Sequence, residues 1–111
     1  MQELVKKIYI SEEIKNYIVK IVSATRRPEK YHIGLGKYIR WGASPRASIW
    51  MFIASKANAL LNGRDFVTPE DVRFVAPSVL RHRIILNYEG KAKEIRTGKI
   101  VEDILNTIDI P

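Results

Sequence analysis

The sequence contains no cysteine. Disulfide bonds, thiolate zinc sites and cysteine nucleophiles are therefore excluded from this chain, and a reducing compartment suits it. A long apolar run is also missing, because no stretch approaches the ~20 residues that cross a membrane. The N-terminal MQELVKKIYI lacks the pattern of a signal peptide. We therefore expect a cytoplasmic protein without a membrane partner.

Residues that could form a catalytic or metal site are scarce. The two histidines, His32 and His82, have no second ligand at metal-binding spacing. The acidic residues at 65–71 surround a predicted helix start, where capping explains them. GLGKY at 34–38 departs from the phosphate-loop pattern, since tyrosines stand where that pattern needs a glycine and a serine or threonine. We expect no metal site, and no enzymatic activity from this chain alone.

Acidic residues are in the minority, with 12 Asp and Glu against 19 Lys and Arg and a net charge of +7. Basic residues outnumber acidic ones most strongly in two stretches, 26–46 and 81–99. Such patches attract nucleic acid, nucleotide phosphates or acidic protein surfaces. From charge alone, a solvated basic face without a specific partner is the better interpretation.

The spacing of apolar residues predicts a mainly all-α fold, a small bundle of about four helices. The predicted helices cover residues 11–27, residues 45–61, a third segment that begins at the Thr68 cap, and residues 99–108. Pro77 is expected to kink or end the third helix, and a shorter turn follows at 78–83. Residues 1–9 form a lead-in, 28–43 a long connection and 87–98 a polar loop. Short extended pieces are allowed for near 38–41 and 84–86.

The predicted helix at 45–61 is apolar around most of its circumference. Its polar positions form only a narrow strip: Ser48, Ser55, Asn58 and Asn62. A helix of this kind usually lies at the centre of a domain. We therefore expect it to form the core, with Trp41 and Trp50 in core or interdomain packing and not in ligand stacking.

The start of that helix carries an unusual cation. Ser44 offers a hydroxyl cap and Pro45 suits a first turn, yet Arg46 follows. The helix dipole favours anions at this end by about 0.3–1 kcal/mol. The forked donors of arginine suit phosphate, and we expect Gly42 and Ala43 to leave room for such a ligand. The alternatives are an ion pair with a nearby carboxylate or a side chain in solvent.

The segment GASPRAS at 42–48 resembles the second-sensor motif of the MoxR family of AAA+ ATPases. FVTPEDV and LRHR follow at matching spacing, while IVSATRRPE at 21–29 and the ending KIVEDILNTIDIP resemble other parts of that family's lid domain. The resemblance covers about residues 10–111 and is strongest from 42 to 86. It implies a single helical lid domain over 1–111 whose ATP-binding core is absent. We expect Met1 to be an added start and the sequence to be an excised C-terminal domain.

The resemblance implies that Arg46 contacts the γ-phosphate of ATP, which the core of the parent protein holds with Mg²⁺. Loss of that phosphate on hydrolysis would then let the lid rotate. The implied nucleotide-binding residues are Gly42, Ser44, Pro45, Arg46 and Arg26, and the implied contacts to a neighbouring subunit are Arg81 and Arg83. For Arg26 the alternative is a cation that stabilises the end of its helix. For Arg81 and Arg83 the alternative is a solvated basic turn.

The resemblance also implies what the intact parent does. We expect a prokaryotic ATP hydrolase that forms hexameric rings and acts as a chaperone-like machine in the assembly or maturation of partner proteins, among them proteins with von Willebrand factor A-type domains. Two alternatives are a basic helical module that binds nucleic acid and a protein-interaction domain with histone-like helices. The apolar helix at 45–61 argues against nucleic acid, because it does not suit a groove.

Overall fold

The computed structural model describes residues 7–111, which contain five α-helices and a two-stranded sheet. The elements are α1 (Glu12–Arg26), β1 (Ile39–Trp41), α2 (Ala47–Leu61), α3 (Pro69–Leu80), β2 (Ile85–Leu86), α4 (Tyr88–Ala92) and α5 (Thr97–Thr107), with 3₁₀ turns at Pro28–Tyr31 and Gly34–Tyr38. The predicted mainly helical fold class is confirmed. Within the described residues, no helix has the length and hydropathy needed to cross a membrane.

Helix α1 lies where the apolar spacing predicts it. The Ser11 hydroxyl caps its start by accepting a hydrogen bond of 3.2 Å from the backbone N–H of Ile14. Tyr17, Ile18 and Ile21 are buried on its inner face. The helix ends just before Pro28, because a residue that precedes proline is pushed out of the α region.

Helices α2 and α3 form an antiparallel hairpin held together by a buried carboxylate. Asp71 accepts hydrogen bonds from the Asn58 side chain (2.8 Å), from the Arg64 guanidinium and from the backbone N–H of Thr68 (2.8 Å). The Thr68 hydroxyl in turn accepts from the Asp71 N–H, so the capping box predicted from the sequence is present. Burial alone would raise the pKa of Asp71, but the hydrogen bonds from Thr68, Arg64 and Asn58 outweigh it and lower that pKa below its ordinary value.

Pro77 is predicted to kink or end the third helix, and the predicted end is wrong because α3 continues through this residue to Leu80. Pro77 lies in the last turn, so only a short stretch of helix follows the missing N–H donor. Leu80 is completely buried, and the N–H of Arg81 bonds to the carbonyl of Pro77 at 3.0 Å. Packing of this final turn therefore overrides the local preference of proline.

The expectation that α2 forms the core is wrong in its main point. Its buried positions are a strip of mostly small residues: Ala47, Met51, Ser55 and Ala59. Trp50 on the helix and Trp41 just before it are both exposed, so neither packs in the core. The composition of a helix records how apolar it is but not which side its neighbours cover. Here α1 and α3 leave one side of α2 open.

The two short extended pieces allowed for in the sequence pair with each other. β1 and β2 are antiparallel, with Ile39 opposite Leu86 and Trp41 opposite Ile85. The polar loop predicted at 87–98 is wrong in part, because α4 lies within it. The Asn87 side chain caps this short helix by accepting a 2.8 Å hydrogen bond from the N–H of Gly90.

The last helix, α5, packs against α1 and α3. It begins at Thr97, two residues earlier than predicted, and buries Ile100, Val101 and Ile104 completely. The Arg73 guanidinium on α3 donates a 2.7 Å hydrogen bond to the Leu105 carbonyl near the end of α5. This contact satisfies a carbonyl that the helix itself leaves unpaired.

The predicted lead-in at 1–9 is partly integrated into the domain. The N–H of Tyr9 bonds to the Asp65 carbonyl (2.8 Å), and the N–H of Val67 bonds to the Tyr9 carbonyl (2.9 Å). The flanking residues Ile8 and Ile10 are buried. The rest of the predicted lead-in, residues 1–6, lies outside the described residues.

Candidate functional site

The loop at 42–46 is fixed to the last turn of α1. The hydroxyl of Thr25, which is completely buried, accepts a 2.9 Å hydrogen bond from the N–H of Ala43 and donates a 2.6 Å bond to the Val22 carbonyl. Gly42 lies directly against the Thr25 backbone, where an added Cβ would stand only 2.1 Å from the carbonyl oxygen. The loop therefore requires glycine at this position and a hydroxyl at residue 25.

This packing changes the role expected for two residues of the loop. Gly42 and Ala43 are predicted to leave room for a ligand, but both are packed against this same chain and Ala43 is buried. That part of the prediction is wrong. The visible role of Gly42 is to let the loop approach α1, and a direct contact between Gly42 and a nucleotide stays a prediction.

Helix α2 begins two residues later than the sequence predicts. Arg46 and not Ser44 is the N-cap residue, and it makes no side-chain capping bond. A tight turn precedes the helix, in which the N–H of Ala47 bonds to the Ser44 carbonyl (2.9 Å) and that of Ser48 to the Pro45 carbonyl (3.1 Å). Arg46 therefore lies at the positive end of the α2 dipole, where the N–H groups of Ala47, Ser48 and Ile49 are already bonded within the turn.

The Arg46 side chain is exposed, as predicted. Among the described residues, ion pairs join other partners: Lys15–Glu12, Arg64–Asp71, Lys93–Glu89 and Lys99–Glu102. Within residues 7–111 no carboxylate neutralises Arg46, so the first turn of α2 carries a cation together with the positive end of the helix dipole. This combination attracts an anion.

A surface cleft of about 220 Å³ lies beside this loop. Its lining residues come from α1, the loop and the first turn of α2: Val19, Val22, Ser23, Arg26, Arg27, Pro45 and Ser48. The structure thus brings together Arg26 and Pro45, two of the predicted site residues. Valine and proline line it along with two arginines, so it suits a ligand with both an apolar part and negative charge. Arg26 also lies in the last turn of α1, and the helix-stabilising alternative stays open.

The turn at 81–83 lies at the same end of the molecule, because β2 follows it and pairs with the strand that leads into the loop. Arg81 and Arg83 are both exposed. The guanidinium of Arg83 donates a 2.6 Å hydrogen bond to the Val79 carbonyl and so caps the end of α3. Their contact with a neighbouring subunit stays a prediction, and Arg83 already has a structural role.

The described residues contain no cluster of three or more His, Asp or Glu side chains that could hold a metal ion. His32 and His82 are both exposed and lie in separate turns.

Residues 36–104 match the family model described as the AAA lid domain. The chain belongs to this family. Relatives named MoxR align with most or all of this chain, so this lid domain is of the MoxR type, as the resemblance of its motifs predicts.

Two curated relatives and one solved structure are similar to the lid domain over most of its length. It is 38% identical to Chaperone MoxR1 of Mycobacterium tuberculosis, with all of this chain aligned to 30% of that protein. It is 34% identical to Protein MoxR of Methylorubrum extorquens, over 86% of this chain and 28% of that protein. A crystal structure from Cytophaga hutchinsonii, described as an inferred ATPase, matches with a TM-score of 0.95 and 44% identity over 99% of this chain and 34% of that one. The lid domain therefore spans about a third of the length of these relatives.

One residue that positions the site was missed by the sequence analysis. Thr25 contacts the loop through Ala43, which is 18 residues away along the chain. Local patterns such as caps and apolar spacing report neighbours three or four residues apart, so no such signal identifies this contact.

Proposed function

We propose that the lid domain senses the nucleotide of a MoxR-type AAA+ ATPase through Arg46. The observation that carries the proposal is the placement of this arginine. It is exposed at the start of α2, without a neutralising carboxylate among the described residues, beside a cleft that Arg26 and Pro45 line.

The physical basis is the charge at the start of α2. A phosphate placed beside Arg46 meets a guanidinium and the positive end of the helix dipole. A cation at the positive end of a helix dipole is unfavourable by itself. The γ-phosphate of ATP therefore makes this placement of Arg46 favourable. Its loss on hydrolysis removes the contact and permits the lid to rotate relative to the ATP-binding core.

The other predicted site residues support Arg46 in different ways. Pro45 lines the cleft, and Ser44 belongs to the tight turn before the helix. Gly42 holds the loop against Thr25. Arg26 supplies a second cation at the rim of the cleft, where it would contact the same nucleotide.

The proposal extends to the parent protein. We propose an ATP hydrolase that binds ATP with Mg²⁺ in a core domain, assembles into hexameric rings in the prokaryotic cytoplasm, and acts as a chaperone-like machine. Arg81 and Arg83 would then face the neighbouring subunit, and partner proteins with von Willebrand factor A-type domains would be its clients. The name of the Mycobacterium tuberculosis relative, Chaperone MoxR1, supports the chaperone-like part.

The test is ATP turnover and ATP affinity of the intact parent protein with Arg46→Ala. Because the substitution removes a cation that contacts the reacting phosphate, we expect turnover to fall at least about tenfold. Arg46→Lys is expected to recover only part of the activity, since an ammonium lacks the forked geometry of a guanidinium.

The control is Arg96→Ala, which removes an exposed arginine without a side-chain capping bond at the start of α5. It changes the net charge of the chain by the same amount and is expected to leave turnover unchanged. Equal turnover and affinity in wild type and Arg46→Ala would contradict the proposal.

A further inference from the structure

The small sheet exposes a pair of apolar side chains. Trp41 and Ile85 stand opposite each other in the β1–β2 register, and they are 61% and 50% exposed. Residues that are directly opposite in an antiparallel pair lie side by side on one face. The other opposed pair, Ile39 and Leu86, is partly buried and packs against the core. The sheet therefore has an inner face and an outer apolar face.

A β-bulge places Trp41 on the outer face. Two steps along β1, from Ile39 to Trp41, correspond to a single step along β2. Since side chains alternate between faces at each residue, a regular β1 would put Trp41 on the inner side with Ile39. Arg40 is the extra residue, and it turns Trp41 outward. Bulges re-aim side chains in this way, often beside functional sites.

Two arginines flank this apolar pair. Arg40 is the bulged residue, and Arg83 precedes the start of β2 by two positions. Both are exposed. The segments 39–46 and 81–86 contain no acidic residue, and within the described part of the chain neither arginine joins an ion pair. The surface is therefore apolar at its centre and positive at its edge. We name its residues the bulge face: Arg40, Trp41, Arg83 and Ile85.

We propose that the bulge face binds an acidic segment of a partner protein. An apolar side chain of that segment contacts Trp41 and Ile85, and carboxylates on either side of it pair with the flanking arginines. An aromatic anchor at the centre and charged residues at the rim are usual in protein interfaces. The positive edge selects an acidic partner by charge complementarity. This inference goes beyond the proposed function, which gives Arg40, Trp41 and Ile85 no role.

A protein segment suits this face better than a nucleic acid does. Aromatic rings and arginines also bind single strands, because bases stack on the rings. Here the side chain beside Trp41 is Ile85, a branched aliphatic group that offers no flat surface to a second base. The pair therefore favours an apolar side chain of a peptide.

Fluorescence anisotropy with labelled peptides tests the proposal on the intact parent protein. The probe is a fluorescein-labelled peptide, DEDLFDED, and two matched peptides lack its charge (NQNLFNQN) or its apolar centre (DEDSSDED). We expect saturable binding of DEDLFDED, with an apparent Kd at least about tenfold lower than that of either matched peptide. Because the carboxylate contacts are exposed, raising the ionic strength from about 0.05 to about 0.3 M should weaken this binding about threefold.

Variants test whether the peptide binds at the bulge face. Trp41→Ala removes the aromatic anchor and should raise the apparent Kd for DEDLFDED at least about tenfold. Arg40→Gln should raise it about threefold and reduce its dependence on salt. Circular dichroism checks that each variant is folded.

The matched control is Phe66→Ala. It removes an aromatic ring of comparable exposure, 46%, that lies before the start of α3. Since α3 has 12 residues, about 18 Å of helix separates this ring from the segment 81–86. The control should bind DEDLFDED as the wild type does.

Several outcomes would overturn the inference. They are an absence of saturable binding of DEDLFDED up to about 1 mM, equal binding of DEDSSDED, and equal binding by wild type and Trp41→Ala. Tighter binding of a labelled oligothymidylate of the same length would assign the bulge face to nucleic acid and would also overturn it. None of these outcomes depends on ATP turnover in Arg46→Ala, so the proposed function is tested separately.

Discussion

The two ends of the α2–α3 hairpin carry charge in opposite arrangements. At the end where α2 passes into α3, Asp71 is buried and accepts hydrogen bonds from Arg64, Asn58 and Thr68. At the other end, the segments 39–46 and 81–86 contain four arginines and no acidic residue. None of these four joins an ion pair within the described part of the chain.

The difference separates a role in folding from a role in binding. A buried carboxylate needs its partners to fold, because an unpaired charge in the interior is strongly destabilising. Exposed arginines need no partner in order to fold, since water solvates them. The Asp71 carboxylate at the first end is therefore paired within this chain, and the second end retains its capacity to bind an anion.

The largest expected loss of stability is at the end of the hairpin where Asp71 is buried and paired. Asp71→Ala removes the carboxylate half of the capping box of α3 and leaves Arg64 without its carboxylate, so the free energy of unfolding should fall by about 2–3 kcal/mol. Because the folded pKa of Asp71 is lowered, its contribution is present above the unfolded pKa and is lost as the pH falls through the folded one. Urea denaturation of wild type and variant at pH 7, and again below about pH 4, measures both effects.

An equal difference between wild type and Asp71→Ala at both pH values would contradict this account of the carboxylate. The contrast between the two ends of the hairpin would also be wrong if Asp71→Ala lowered the free energy of unfolding by less than Arg46→Ala does.

The next largest loss of stability is expected in the loop at 42–46, which lies at the arginine-rich end of the hairpin. Gly42→Ala places a methyl group against the Thr25 carbonyl, and the displacement should cost about 2 kcal/mol of unfolding free energy. Gly98→Ala is the matched control, because no atom lies within 4 Å of its added Cβ and it stands in the first turn of α5. That control should be neutral or stabilising by up to about 1 kcal/mol. Thermal unfolding of both variants measures their loss of stability relative to wild type. Equal losses would show that the close approach at Gly42 is unimportant.

The smallest expected effect is that of Arg46→Ala on the stability of the lid domain. Removal of a cation from a helix start should leave the unfolding free energy unchanged or raise it by up to about 0.5 kcal/mol. A loss above about 1 kcal/mol in urea denaturation would mean that Arg46 makes a structural contact. The contrast between the two ends would then disappear.

The sequence predicts those parts of the fold that depend on residues close together along the chain. The helix starts at Ser11 and Thr68 follow from local patterns and are confirmed. Extended pieces near 38–41 and 84–86 are allowed for, but their pairing joins residues more than 40 positions apart and was not predicted. The partners of Asp71 on α2 and in the following turn depend on how the hairpin closes. Local patterns do not indicate how the hairpin closes, so these partners could not be predicted from them.

The side of α2 that faces the core could not be predicted, for a related reason. An amphipathic helix shows its inner face by contrast with a polar outer face, but α2 is apolar on both sides. Of the two packing roles expected for Trp50, the one in the core of this domain is wrong, and interdomain packing stays a prediction. Similarly, α4 was missed because it is short and contains Gly90, while its cap at Asn87 was the local signal that could have indicated it.

The Thr25 hydroxyl has a mechanical consequence for the cleft. It joins the wall formed by α1 to the wall formed by the loop and α2, so the backbone segments that carry Arg26 and Arg46 separate only if its hydrogen bond to Ala43 breaks. The two arginines are therefore anchored on one connected piece of backbone, and the distance between their anchor points is set by a single buried hydroxyl.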